Sequence, residues 1–174
     1  MQQYRFAAAE LKKITKNIVI LIDTREKKNE HILDYLNRQK IPYEIEKLDY
    51  GDYSFYLSTP SGERVYFHRD IVVERKASLE ELSGNLAQER ETFEKEFLRA
   101  GNDGAKVYLM VEDKGGYSSI IGHKYQTQFS SAAYMASLKT WEHRFGANIQ
   151  FIDPQYAGYY IYSTFTYFVR EALK

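Results

Sequence analysis

Ile71-Val72-Val73 is apolar at three consecutive positions and is followed at once by Glu74, Arg75 and Lys76. A strand that is apolar at every position, rather than every second one, cannot leave one face in water; it has to be covered on both. Residues 17–23, Asn-Ile-Val-Ile-Leu-Ile-Asp, make the same demand. Amphipathic stretches stand before and after these runs, so the chain reads as an α/β protein, a central sheet with helices on both faces.

The remaining elements fit that frame. Residues 41–48 alternate apolar and charged side chains, as a half-exposed strand does, and 52–57, 64–76, 105–112 and 147–153 read as further strands. The turn signal Pro60-Ser61-Gly62 makes 52–76 a hairpin, so the sheet is partly mixed. Helices are expected over 28–39, over 79–100 ending near Gly101, over 129–145 ending at Gly146, and over 155–173. Residues 112–128, with the pair Gly115-Gly116, form the one long irregular loop, and such loops are often functional. A length of 174 residues suits a single domain, with 1–16 as a helical N-terminal extension and 17–174 as the core. Tyr159, Tyr160, Tyr162, Phe165, Tyr167 and Phe168 are spread around the last helix rather than along one stripe, which implies burial on most sides, against a second subunit.

Several chemistries drop out. There is no cysteine, hence no disulfide, thiolate zinc site or Cys nucleophile. The four histidines sit in different elements with no His-x-x-x-His pair, and Ser118 and Ser119 have no His and Asp at a hydrolase spacing. No phosphate loop of the Gly-x-x-x-x-Gly-Lys-Ser/Thr kind is present. No apolar run is long enough to span a membrane and no signal peptide is visible, which fits a cytoplasmic protein. Lys plus Arg number 24 and Asp plus Glu 24, so any nucleic-acid contact must come from a local patch.

Alternate side chains of a strand share a face, so Glu74 and Lys76 project to one side and Arg75 to the other. An acid and a lysine so placed can hydrolyse a phosphodiester: the carboxylate holds a divalent metal, Mg²⁺ or Mn²⁺, and the lysine neutralises the phosphate or orients water. If the strands beginning at Asp52 and ending at Glu74 pair antiparallel, the two acids converge. Asp23, at the carboxyl end of its strand, is a third candidate ligand. The plain alternative is a solvated Glu–Lys ion pair at a strand end.

The same residues resemble the signature of the XPF/Hef-type structure-specific nucleases: Gly51-Asp52-Tyr53, then Val73-Glu74-Arg75-Lys76, with Leu21-Ile-Asp-Thr-Arg-Glu26 matching the Asp-x-Arg-Glu that closes the family's first strand. Residues 90–100 resemble the helix that follows, 106–113 the next strand, and 136–151 a late helix and strand. The resemblance implies a restriction-endonuclease-like core, metal-dependent cleavage of branched or flap DNA in repair, recombination or replication, metal ligands at Asp23, Asp52 and Glu74, Lys76 in the active site, and a homodimer. It places Arg25 among the catalytic and DNA-contacting residues, although Arg25 could instead brace a carboxylate. It raises Arg75 and Arg90 as DNA contacts. Lys28, Lys114 and Lys124 are expected to add local positive charge, with the excess acids on the outer faces of the Glu-rich helix. The signature's final Asp falls on Glu80, and Ser78-Leu-Glu-Glu81 also reads as a capping box, so Glu80 has a structural reading of its own. The larger members carry helix-hairpin-helix modules after this domain; a nuclease domain alone resembles the short bacterial or bacteriophage version. Two other readings stand beside an active endonuclease on branched DNA: a non-catalytic DNA-binding or scaffolding module, and a nuclease acting on another substrate such as RNA or plain single-stranded DNA.

Overall fold

The computed structural model describes residues 6–174. The part of the expected N-terminal extension in residues 1–5 lies outside the described residues; the rest of it forms helix α1 (Ala8–Thr15). Strand β1 (Ile18–Ile22) is followed by α2 (Glu30–Arg38), β2 (Tyr43–Ile45), β3 (Tyr53–Ser58), β4 (Arg64–Tyr66) and β5 (Ile71–Lys76). Next come α3 (Leu79–Leu86), α4 (Arg90–Asp103), β6 (Lys106–Glu112), α5 (Tyr117–Ile121), α6 (Ser131–Phe145), β7 (Asn148–Ile152) and α7 (Ala157–Ala172).

The sheet runs β2-β1-β3-β5-β6-β7, with β4 paired to β3. Strand β3 is antiparallel to both neighbours, β1 and β5, whereas β5, β6 and β7 are parallel. It follows that β1, β5, β6 and β7 end on one edge of the sheet, and that β3 begins there. The sheet is therefore mixed and central, as expected.

Burial follows the strand period of two. Ile18, Ile20 and Ile22 of β1, Tyr53, Phe55 and Leu57 of β3, and Ile71 and Val73 of β5 pack with Ile32 and Leu36 of α2 and Ile161, Phe165 and Val169 of α7. On the opposite face Val72, Leu109 and Val111 pack with Leu79, Leu82 and Leu86 of α3, Phe93 and Phe97 of α4, and Leu138 and Trp141 of α6.

Four expectations are corrected. The run 64–76 is two strands, because the chain turns at 67–70; β4 forms the hairpin with β3, while β5 meets β3 only at Tyr53–Val73. The helix expected over 79–100 is two helices, broken at Ala87, and α4 continues through Gly101 until Gly104 closes it in the left-handed conformation. The long loop contains α5. On α7 the buried residues Ala157, Gly158, Ile161, Phe165 and Val169 form a single stripe, while Tyr159 and Tyr167 are exposed. Among the described residues no helix is long and apolar enough to cross a membrane.

Candidate active site

The antiparallel start of β3 lies between the carboxyl ends of β1 and β5, and its first neighbour is Asp52. The Asp52 N–H donates to the carbonyl of Val73 at 2.9 Å, and the Asp23 N–H donates to the carbonyl of Asp52 at 2.8 Å. Gly51 permits this approach. It has φ +73°, and a Cβ there would stand 2.7 Å from the Cβ of Val72. The Gly-Asp pair thus seats the aspartate against β5.

Asp52, Glu74 and Lys76 line one cavity of about 220 Å³ with Arg25, Asn85, Glu89, Thr92, Phe93 and Glu96. Lys76 Nζ donates to Glu74 Oε1 at 2.7 Å and stands 4.8 Å over the Phe93 ring. Burial works against the ammonium, but Glu74 and Asp52 outweigh it and hold the Lys76 pKa above its ordinary value. Asp52 Oδ2 accepts the Arg75 N–H at 2.7 Å. Burial, reinforced by the Glu74 and Glu26 carboxylates, pushes the Asp52 carboxyl well above the usual carboxylate range. Oδ1 of Asp52 and Oε2 of Glu74 accept no hydrogen bond among the described residues, which leaves one oxygen of each acid for a ligand.

Asp23 is differently employed. Its Oδ2 accepts from the backbone N–H of Arg25 at 2.9 Å and from Arg25 Nε at 2.7 Å, and its Oδ1 accepts from the Leu48 N–H at 2.7 Å. Burial works to raise its pKa, but the Arg25 guanidinium and these N–H groups outweigh it and hold the carboxyl below the usual range. Asp23 does not line the cavity, and among the described residues no three His, Cys, Asp or Glu side chains form a metal-holding cluster. The expected ligand triad of Asp23, Asp52 and Glu74 is therefore not assembled; both oxygens of Asp23 are spent on bracing Arg25 and the chain at Leu48.

Arg75 is corrected as well. Its guanidinium is buried, donates to both oxygens of Glu112 at 2.8 and 3.2 Å and to Glu26 at 3.1 Å, and reaches the carbonyls of Lys27 and Lys28. It clips the segment after β1 to the sheet, and its side chain is only 4% exposed. His31 joins the cluster through Glu112 at 2.7 Å.

Beside the cavity, and sharing Arg25, Asp52 and Lys76 with it, runs a groove of about 450 Å³ lined also by Glu26, Lys27, Lys28, Arg75, Ala77, Ser78 and Glu81. Arg25, Lys27 and Lys28 are exposed.

The family model of the ERCC4 domain matches residues 22–163, nearly the whole of this arrangement. The chain belongs to the ERCC4 domain family. XPF from Aeropyrum pernix has the same fold, with a TM-score of 0.60 at 18% identity over 88% of this chain and 64% of that one. XPF from Aeropyrum pernix in complex with DNA gives 0.62 at 18% identity over 88% and 66%. The chain thus spans slightly less than two thirds of the length of each. No curated protein sequence matches it.

The rest of the ERCC4 signature and its flanks can now be located. Glu80 Oε1 accepts the Gln126 N–H at 2.9 Å, tying the loop before α6 to α3, while Ser78 caps α3 by accepting the Glu81 N–H. Arg90 pins helices: its guanidinium lies over the Trp141 ring at 4.8 Å and donates to the Leu86 carbonyl and to Ser137 Oγ, with its side chain 38% exposed. Lys114 pairs with Asp153 at 3.2 Å, and neither Lys114 nor exposed Lys124 lines the cavity or the groove, so the second basic wall does not form there. The sequence reasoning missed Glu89 and Glu96, which face the cavity although the acids of α4 were expected on its outer side. A signal existed: Glu96 lies one helical turn from Phe93 and beside Phe97, both of which must be buried.

Proposed function

We propose that this ERCC4 domain is a metal-dependent DNA endonuclease. The observation that carries the reading is the convergence of Asp52 and Glu74, each with one unbonded oxygen, on a cavity that also holds Lys76. The donors suit a hard cation such as Mg²⁺ or Mn²⁺, which takes one or two carboxylates and completes its shell with water and phosphate oxygens. The carboxyl of Asp52, pushed up by burial and by its acidic neighbours, is the group such a cation would relieve. A bound cation would supply Lewis-acid polarisation of the scissile phosphate and a more acidic water.

The chain's own residues do the rest. Arg25, held at a fixed angle by Asp23, donates to a phosphate in the groove, and Lys27 and Lys28 hold the adjacent backbone as point charges. Lys76, kept protonated by Glu74 and Asp52, balances the charge that develops on the phosphate as it is attacked. Asp23 and Arg75 position these groups without touching substrate.

Few basic residues flank the groove, so one subunit would grip DNA weakly and lose that grip as salt rises. A branched or flapped substrate engaged by two subunits recovers affinity through linked binding. The groove of about 760 Å³ between α7 and β7, with exposed Tyr156, Tyr159 and Tyr167, offers an aromatic surface for the second copy. Labelled flap, fork, junction and linear duplex DNA, incubated with Mg²⁺ and with EDTA, test the reading. Cleavage only with Mg²⁺, abolished by Asp52→Ala while fork binding in gel shifts persists, is the expected result. Cleavage in EDTA, or an active Asp52→Ala, refutes it.

A further inference from the structure

We propose that Glu96 is a third catalytic carboxylate, which holds the attacking water opposite the phosphate; the inference rests on the nuclease reading above. Glu96 stands on α4 between Phe93 and Phe97, both buried. The Phe93 ring stacks on Trp141 with centroids 5.5 Å apart and meets the Phe97 ring edge-on at 5.0 Å, so this turn of helix is fixed against the core. The side chain lines the cavity with Asp52, Glu74 and Lys76.

Glu96 is half-buried and makes no hydrogen bond or ion pair among the described residues, although Lys76, Arg25 and Arg99 are close enough to act on its charge. An acid kept only for solubility would project into water, and one kept for stability would close on one of those cations. Burial beside a second carboxylate costs free energy unless a partner arrives. No partner of this kind is found among the described residues.

The placement says which partner fits. Asp52 and Lys76 border two unlike hollows: the groove, where Lys27 and Lys28 stand with Glu26 and Glu81, and the cavity, where Glu89 and Glu96 stand on the α4 side; Arg25 borders both. The exposed Arg25, Lys27 and Lys28 draw a phosphate to the groove, and the acids on the α4 side repel it. Water is the reactant an acidic wall can hold, by accepting its hydrogen bonds, and about 220 Å³ is room for several molecules. In-line displacement needs the nucleophile on the side of phosphorus away from the leaving group, and a water held by Glu96 in the cavity would meet a phosphate that enters from the groove. The water oxygen bonds to phosphorus and the bond from phosphorus to one sugar oxygen breaks. That oxygen departs with the bonding pair and takes up a proton, and the proton shed by water passes to solvent. Phosphodiester and water thus give a phosphomonoester and an alcohol.

The test is single-turnover cleavage of whichever labelled DNA the wild type cuts, with Mg²⁺ titrated, alongside gel-shift affinity and melting temperature. Glu96→Gln keeps shape and fold but is a poorer acceptor. Its rate constant should fall by about 10²-fold, the scale of a misplaced reactant, with DNA affinity and the half-saturating Mg²⁺ concentration unchanged. Glu96→Asp, which moves the acceptor by one methylene, should lose an intermediate amount and serves if the amide variant misfolds. A Glu96→Gln rate close to wild type overturns the proposal, and so does a loss that extra Mg²⁺ restores, since that would make Glu96 a metal ligand. Wild-type cleavage that Asp52→Ala abolishes but Glu96→Gln does not would sink this inference alone. A wild type that cuts no DNA would sink the nuclease reading with it.

Discussion

Replacing Gly51 by alanine should damage this protein far more than its size suggests. An added Cβ would lie 2.7 Å from Val72 Cβ, 2.9 Å from Cγ2 and 3.2 Å from Cγ1, on a residue with φ +73°. Holding a residue with a Cβ in the left-handed region costs about 1–2 kcal/mol. Forcing a methyl into a filled core costs roughly 1–3 kcal/mol, and Val72 has no exposed surface from which to yield. The sum is about 2–5 kcal/mol, or a melting temperature lower by roughly 5–20 °C for a chain of this length. Thermal unfolding followed by circular dichroism in EDTA measures it. Part of the clash can be isolated with Val72→Ala, which removes the two Cγ contacts and leaves the 2.7 Å Cβ contact: the double variant should be less destabilised than the two singles added together, by a fraction of the roughly 1–3 kcal/mol of the overpacking. Asp52 is the next residue and is bonded through its N–H to Val73, so Gly51→Ala should also slow cleavage at temperatures where it remains folded. A variant that melts within a degree or two of wild type, or a strictly additive cycle, would refute the close-approach reasoning.

The two arginines of the signature should separate cleanly. Arg75→Met strands buried Glu26 and Glu112 and should cost about 3–5 kcal/mol in chemical denaturation. Arg25→Met takes the guanidinium from buried Asp23, which keeps two backbone N–H donors, and should cost less, about 1–3 kcal/mol, while weakening fork binding in gel shifts; equal stability loss in both would contradict the assigned roles. Asp52 makes stability depend on pH and metal together. Its folded pKa is raised, so the stability it lends in the protonated form is full below the unfolded carboxylate value of about 3.9 and is lost as pH rises through the higher folded value. Asp52→Asn should therefore melt above wild type in EDTA, by more at pH 8 than at pH 5, and Mg²⁺ should narrow the gap by stabilising wild type alone. A wild type that outlasts the variant at pH 8 without metal would show that no such charge conflict exists.

Much of the fold could be read along the chain. Apolar runs at 18–22 and 71–73 demanded a covered sheet, and the order of strands and helices demanded both faces. The motif residues Asp52, Glu74 and Lys76 were legible because the strand period fixes which side chains share a face, and an antiparallel partner brings a strand's start to another's end. The break between α3 and α4 was not legible. Leu79, Leu82, Leu86, Phe93, Phe97 and Ala100 keep one continuous helical spacing across it, and Arg90 occupies the stripe where an apolar residue would sit, lying over Trp141 from a distant helix.

What the sequence determined by itself was therefore periodic and local: the faces of strands, the caps at Ser78 and Gly146, the pairing of Gly51 with Asp52. What only the tertiary structure decided was how charge is shared. Asp23 and Glu74 are both acids at strand ends, and Arg25 and Arg75 both arginines in the same motif, yet one of each pair faces the cavity or its groove and the other is bonded out of reach. Among the described residues Glu96 has no partner, where Glu91 and Glu94 on its helix have one. Hydrogen bonding and desolvation are settled by neighbours that lie tens of residues away, such as Leu48 for Asp23 and Glu112 for Arg75. No pattern along the chain carries those distances, so the working roles of identical side chains appear only once the sheet has brought its edge together.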